Sequence, residues 1–170
     1  MTDELKVGDT VPDFTAQSVR GGKFTLSEKV REHPILFYFY PVNYGMQCIF
    51  YSESMNDFFD GFEKIGVKVF HVNDNTVENH EKYMKRLETR YDHIADIGRA
   101  VSSIFGMIVP SNHSGTEDLV SRGFAFVDRD MVLRYRWRGE SMINLVDLES
   151  LVKELGDILA GSSSETTEQT

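Results

Sequence analysis

The chain has 170 residues, 41% of them hydrophobic, 12 of them Phe, and a formal net charge of -9. That is enough apolar material for one globular core, and no apolar run approaches the ~18 to 20 residues of a membrane span. The acidic balance argues against general nucleic-acid binding, which needs Lys and Arg against phosphate. The N-terminal MTDELKVGDTVPDF has no signal-peptide pattern. The single cysteine excludes an intramolecular disulfide and suits a reducing compartment. We therefore expect a cytoplasmic protein with no membrane or nucleic-acid partner.

In chain order, GGKFTL places a turn at Gly21 and Gly22 within a short hairpin. ILFYFY (35–40), between Pro34 and Pro41, reads as a strand buried on both faces. From Cys48 onward, Tyr51, Met55, Phe58, Phe62 and Ile65 recur at three- and four-residue steps, predicting one amphipathic helix that stops at Gly66. VKVFHV (67–72) is the next strand. Asn75 with Glu78 resembles a capping box that opens a helix carrying Tyr83 and Leu87 on its apolar side. A shorter helix holds Val101, Ile104 and Phe105. GFAFVD (123–128) and MVLRYRW (131–137) form a hairpin turning at Asp128 to Asp130. In RYRWR the alternation predicts a solvated face of Arg134, Arg136 and Arg138, with Tyr135 and Trp137 opposite. A last helix aligns Leu148, Leu151, Val152, Leu155 and Leu159.

Helices between strands imply parallel pairing, and the hairpin adds an antiparallel part. The expected class is α/β: a thioredoxin-like fold with a mixed central sheet, flanking helices and an N-terminal β extension. Residues 1–160 should form a single domain, and GSSSETTEQT (161–170) a disordered tail. The loop VPSNHSGTEDL (109–119) is long and polar enough to be mobile or functional.

Phosphate-cradling and nucleophile-elbow motifs are absent, and the five histidines show no zinc spacing. No metal and no cofactor is expected. Cys48 follows a loop and falls at the predicted first turn of a helix. Unpaired N–H groups and the helix dipole there favour a thiolate over a thiol, and the thiolate is the nucleophile. Position alone leaves a second reading open, since free cysteine is also a common buried hydrophobe.

FYPVNYGMQC resembles the active-site segment of the peroxiredoxins, [FY]-[YFW]-P-x-x-x-[TS]-x-x-C, with Tyr40, Pro41 and Cys48 at matching positions. The resemblance runs over about residues 6 to 156: VGDTVPDF, FTLSE, IGVKVFHVNDNTVENHEKY, IADIGRAVSSIFGM and SRGFAFVDRD match the family's segments in order. The one-cysteine pattern is similar to the bacterioferritin-comigratory type within the alkyl hydroperoxide reductase and thiol-specific antioxidant family. The resemblance implies a thiol peroxidase for hydrogen peroxide or small organic hydroperoxides. Cys48 would be the peroxidatic cysteine and become a sulfenic acid. Pro41 would shield the thiolate, and Arg122 would keep it ionised and polarise the peroxide. Without the resemblance, Arg122 would read as a surface arginine at a strand start. Gly45 and Tyr44 are the expected substrate-binding positions. The sulfenic acid would need an external thiol, a thioredoxin-like protein or a small thiol, because no second cysteine exists. A monomer or homodimer is implied.

Two positions depart from the pattern. Gly45 stands where the family has Thr or Ser, and Tyr51 where it has Glu. The loss of the hydroxyl keeps open an alternative, a catalytically impaired redox-sensing or binding module. A thiol–disulfide oxidoreductase is a weaker alternative, because no C-x-x-C is present.

Overall fold

The computed structural model describes residues 4–110, 118–140 and 144–161. Its centre is β3 (Ile35–Phe39), five residues all buried. Aromatic and branched side chains suit a strand packed on both faces. β3 runs parallel to β4 (Lys68–Asn73), and β4 parallel to β5 (Asp92–Ala95). On its other side β3 pairs antiparallel with β8 (Gly123–Val127), which pairs antiparallel with β9 (Leu133–Arg138). The N-terminal hairpin of β1 (Thr15–Ser18) and β2 (Gly22–Thr25) joins the far edge through β5. The sheet order is β2-β1-β5-β4-β3-β8-β9. A separate ribbon pairs β6 (Ile108–Val109) with β7 (Leu119–Val120).

The pleat of β3 divides the core. Ile35, Phe37 and Phe39 face a cluster with Phe24, Phe70 and Phe105, closed by α1 (Leu26–Glu32) and α5 (Ala100–Ile104). Leu36, Tyr38 and Tyr40 face a cluster with Phe124 and Phe126. That side is closed by α2 (Met46–Asp57), α3 (Phe59–Lys64), α4 (Val77–Leu87) and α6 (Leu148–Ala160). Asp147 caps α6 by accepting from the Ser150 backbone N–H at 3.0 Å, and Leu148, Leu151 and Leu155 are buried.

Several expectations need correction. The helix read as continuous from Cys48 to Ile65 is two helices, because the backbone leaves helical geometry at Phe58 (φ -92, ψ 5). Thr76 caps α4, its hydroxyl accepting from Asn79 N at 3.2 Å, while Asn75 instead donates to Asn73 Oδ1. The arginines of RYRWR are half-buried rather than solvated. Arg136 donates to the Phe105 and Gly106 carbonyls at 2.9 and 3.0 Å, and Arg138 to Gly106 at 2.7 Å. They satisfy the carbonyl end of α5, where cations are favoured. Arg134 pairs with Asp128 at 3.3 Å. The expected loop 109–119 leaves the β6–β7 ribbon, and its residues 111–117 lie outside the described residues. So does the expected tail, apart from Gly161.

Candidate active site

The chain leaves β3 through Tyr40 and Pro41, both buried, and enters α2 at Met46. Polar contacts hold the connecting loop down. The Tyr40 hydroxyl donates to Asn43 Oδ1 at 2.6 Å, and Asn73 Nδ2 donates to the same oxygen at 3.1 Å. Asn43 Nδ2 lies 3.4 Å from His80 Nδ1. Tyr44 takes a left-handed backbone conformation (φ 65), which aims the chain into the helix. Gly45 then serves as the N-cap, in extended geometry (φ -64, ψ 134) and with no side-chain capping bond.

Cys48 is the third residue of α2, within the turn whose N–H groups lack intrahelical partners. No acidic residue stands in that turn to compete for the positive end of the helix. The thiol is 1% exposed, packed in the core cluster with Tyr38, Tyr40 and Tyr51. Arg122, immediately ahead of β8 and 2% exposed, donates from Nη2 to Cys48 Sγ at 3.3 Å. Its Nε donates to the Tyr38 hydroxyl at 3.3 Å. Burial works against the guanidinium charge, but the Tyr38 and Cys48 groups together hold the Arg122 pKa above its ordinary value. Tyr51 presents its ring to Arg122 at 5.6 Å and donates its hydroxyl to the Val146 carbonyl at 2.7 Å. A carboxylate at this position would claim the arginine's charge; an aromatic face leaves that charge to the sulfur.

The sequence-predicted positions divide as follows. Cys48, Arg122 and Gly45 are brought together. A β-carbon built on Gly45 would lie 3.8 Å from Cys48 Sγ, so a side chain there would sit beside the sulfur. Pro41 is buried at the end of β3. Tyr44 is turned toward α4, its ring 5.1 Å from that of Tyr83 and 5.7 Å from the Arg86 guanidinium.

Sequence reasoning missed two features. One is the Tyr38 hydroxyl on Arg122. The alternation of ILFYFY put Tyr38 and Tyr40 on one face, but gave no sign of the arginine they would meet. The other is a buried histidine cluster beneath the loop. His93 Nδ1 lies 3.1 Å from the Tyr40 hydroxyl and 3.2 Å from His80 Nδ1, and the His71 ring is 4.7 Å from that of His93. Burial pushes the His71 pKa down to about 3 and that of His80 to about 4, and holds that of His93 well below its ordinary value. All three are neutral at pH 7. Among the described residues no group of three or more His, Cys, Asp or Glu side chains is arranged to hold a metal ion.

A mixed sheet covered by helices on both faces, with one buried thiol at the helix start after the central strand, defines a thioredoxin-fold protein built around a single cysteine. The chain belongs to the AhpC/TSA family, whose sequence profile matches residues 7–136. It is 29% identical over 109 residues to the chloroplastic peroxiredoxin Q of Sedum lineare, covering 64% of this chain and 57% of that one. Two solved structures share the fold. The bacterioferritin comigratory protein of Xanthomonas campestris matches with a TM-score of 0.74 at 18% identity, over 95% of this chain and all of that one. The yeast mitochondrial 1-Cys peroxiredoxin matches with a TM-score of 0.78 at 17% identity, over 94% of this chain and 78% of that one. The chain spans about three fifths of the length of the curated relatives it matches, 64% and 61% for two of them.

Proposed function

We propose that the protein is a one-cysteine thiol peroxidase that reduces hydrogen peroxide or small organic hydroperoxides. The observation that carries this reading is the 3.3 Å contact from buried Arg122 to Cys48 Sγ at the N-terminus of α2. The thiolate is the nucleophile, and a guanidinium donor and a helix start both meet this one sulfur. In the proposed reaction the Cys48 thiolate attacks the terminal oxygen of ROOH. The S–O bond forms as the O–O bond breaks, and its electron pair leaves on RO⁻, which takes a proton from solvent. Cys48 becomes a sulfenic acid. Arg122 stabilises both the thiolate and the oxygen that gains charge. Buried Pro41 keeps bulk water from the thiolate, and the backbone at Tyr44 and Gly45 receives the peroxide.

With one cysteine in the chain, an external thiol must reduce the sulfenic acid. The thiol resolving mechanism of the structurally similar yeast protein runs through glutathione and thioredoxin systems, and we assign this chain a reductant of the same kind. The Xanthomonas protein has alkyl peroxide reduction activity, which supports hydroperoxides as the substrate class. We further infer a single domain over residues 1–160, a monomer or homodimer, and a cytoplasmic setting in which the thiol stays reduced. No helix among the described residues is long and apolar enough to cross a membrane.

One observation favours a second reading. Gly45 leaves the sulfur without a hydroxyl from its own loop, as in an impaired family member that senses or binds. The two readings separate on the second-order rate of Cys48 with hydrogen peroxide, followed by intact mass with a sulfenic-acid trap. A rate orders of magnitude above that of free cysteine, one trapped adduct, and loss of both in Cys48→Ser support the peroxidase. A rate equal to that of free cysteine supports the sensing module.

A further inference from the structure

Arg122 presents two neighbouring donors to two different groups. Nε donates to the Tyr38 hydroxyl oxygen and Nη2 to Cys48 Sγ, each at 3.3 Å. Nε and Nη2 form one edge of the planar guanidinium, so the phenol oxygen and the sulfur are held side by side. Tyr38 is an acceptor in its one described hydrogen bond, and among the described residues nothing accepts its own proton. The phenol therefore retains an uncommitted O–H beside the thiol, in a place with no exposure to water. Burial also pushes its pKa up, so it stays protonated and remains a donor.

Tyr38 is rigidly held. It lies in the middle of β3, paired with His71 on one side and Phe124 on the other. Its ring stacks on Tyr40 at 5.4 Å and meets those of Phe124 and His71 at 5.1 and 4.9 Å. The side-chain position of Gly45 lies beside the same sulfur: an added β-carbon would sit 3.8 Å from Cys48 Sγ and 3.9 Å from its Cβ, and 2.9 Å from Val42 Cγ2, a side-chain tip that would have to shift.

We propose that Tyr38 is a catalytic residue, its O–H supplying the hydrogen bond to the peroxide oxygens that Gly45 cannot supply. The inference rests on the peroxidase reading. In the step given above, Tyr38 keeps its proton throughout. Its O–H points at oxygen that becomes more negative as the O–O bond breaks, and a fixed donor in a dry site is most effective there. Arg122 orients the phenol through Nε and holds the sulfur through Nη2, so nucleophile and donor are set by one group.

The test compares the parent, Tyr38→Phe, and Tyr38→Phe combined with Gly45→Thr, by stopped-flow reaction with hydrogen peroxide. Alkylation by iodoacetamide across pH runs in parallel, and thermal unfolding verifies the fold. The expected result is a rate roughly 10- to 100-fold lower for Tyr38→Phe. The limiting alkylation rate at high pH should not change, and the added threonine should recover most of the loss. A merely structural role would slow peroxide and iodoacetamide together, and that outcome overturns the inference. So does a Tyr38→Phe rate within twofold of a fast parent, which leaves the peroxidase reading standing. A parent no faster than free cysteine overturns both.

Discussion

On the proposed reading, Gly45→Thr should raise the rate of Cys48 with hydrogen peroxide. The backbone at 45 (φ -64, ψ 134) is open to any L residue, so the substitution carries no conformational strain. A new β-carbon would lie 3.8 Å from Cys48 Sγ, which puts a hydroxyl one bond further out within reach of the sulfur and of an oxygen bound to it. Among the described residues outside its chain neighbours, the tight approach is 2.9 Å to Cγ2 of Val42, the tip of a side chain that is 42% exposed and free to turn away. A hydrogen bond to a charged group contributes about 1.5 to 3 kcal/mol. If it is made chiefly in the transition state, the rate rises roughly 10- to 100-fold. As an N-cap, Thr differs from Gly by only a few tenths of a kcal/mol, so the gain should appear in rate and hardly in stability. Stopped-flow measurement of the second-order rate with hydrogen peroxide, alongside urea unfolding, reads both. An unchanged rate in a variant of unchanged stability would refute the argument that a hydroxyl at position 45 adds to the hydrogen bond assigned to Tyr38.

The histidine cluster makes the fold acid-labile. His71, His80 and His93 have pKa values lowered by burial, His80 against the opposing pull of the Asn73 carbonyl, Asp74 and Asp92. The unfolded chain therefore takes up protons first, near 6.5. Stability is complete above about pH 7 and is lost as pH falls through 6.5 toward the folded values of about 3 for His71 and about 4 for His80, by about 2 kcal/mol for each of these two between pH 7 and 5. Urea midpoints that do not move over that range would contradict this. Arg122→Lys keeps a charge but loses the fork that spans Tyr38 and Cys48, so the peroxide rate should fall at least about 10-fold; a rise in KM alone, with the chemical step intact, would count against it. Leu155→Ala removes a fully buried side chain from beneath α6 and should cost about 2 to 5 kcal/mol by urea unfolding.

Much of this was legible in the chain because the signals were local and periodic. The run 35–40 could hardly be anything but a central strand, and the spacing after Cys48 required a helix, so the thiol had to sit at a helix start. What escaped depends on distant partners. The break at Phe58 has no proline or glycine to announce it. β5 is four residues, two of them Asp and His, too short and too polar to read as a strand. Arg134, Arg136 and Arg138 alternate as a solvated face would, yet two of them turn onto carbonyls about 30 residues away in sequence. Arg122 was picked out only through the segment it opens. Its contact with Tyr38 joins residues 84 apart, beyond any spacing rule.

The placement of these groups explains how a loop can hold the Cys48 sulfur in a fixed position here. Cys48 lies on a helix whose entry loop is tied at Asn43 to Tyr40, Asn73 and His80. Tyr40 continues β3, Asn73 ends β4, and His80 lies on α4, so one asparagine fixes the loop to three elements. The tie depends on neutral imidazoles, because Tyr40 gives its proton to Asn43 and must accept from His93 Nδ1–H, leaving His80 Nδ1 to accept from Asn43. Protonating His80 at Nδ1 would turn that acceptor into a donor facing the Asn43 amide. The acid lability predicted for the fold should therefore begin at the loop that leads to Cys48. Asn43→Ala removes the tie at neutral pH, and it should speed hydrogen exchange in 41–50 before it changes exchange in β3. Equal protection of that segment in parent and variant would show that the loop is held by packing alone.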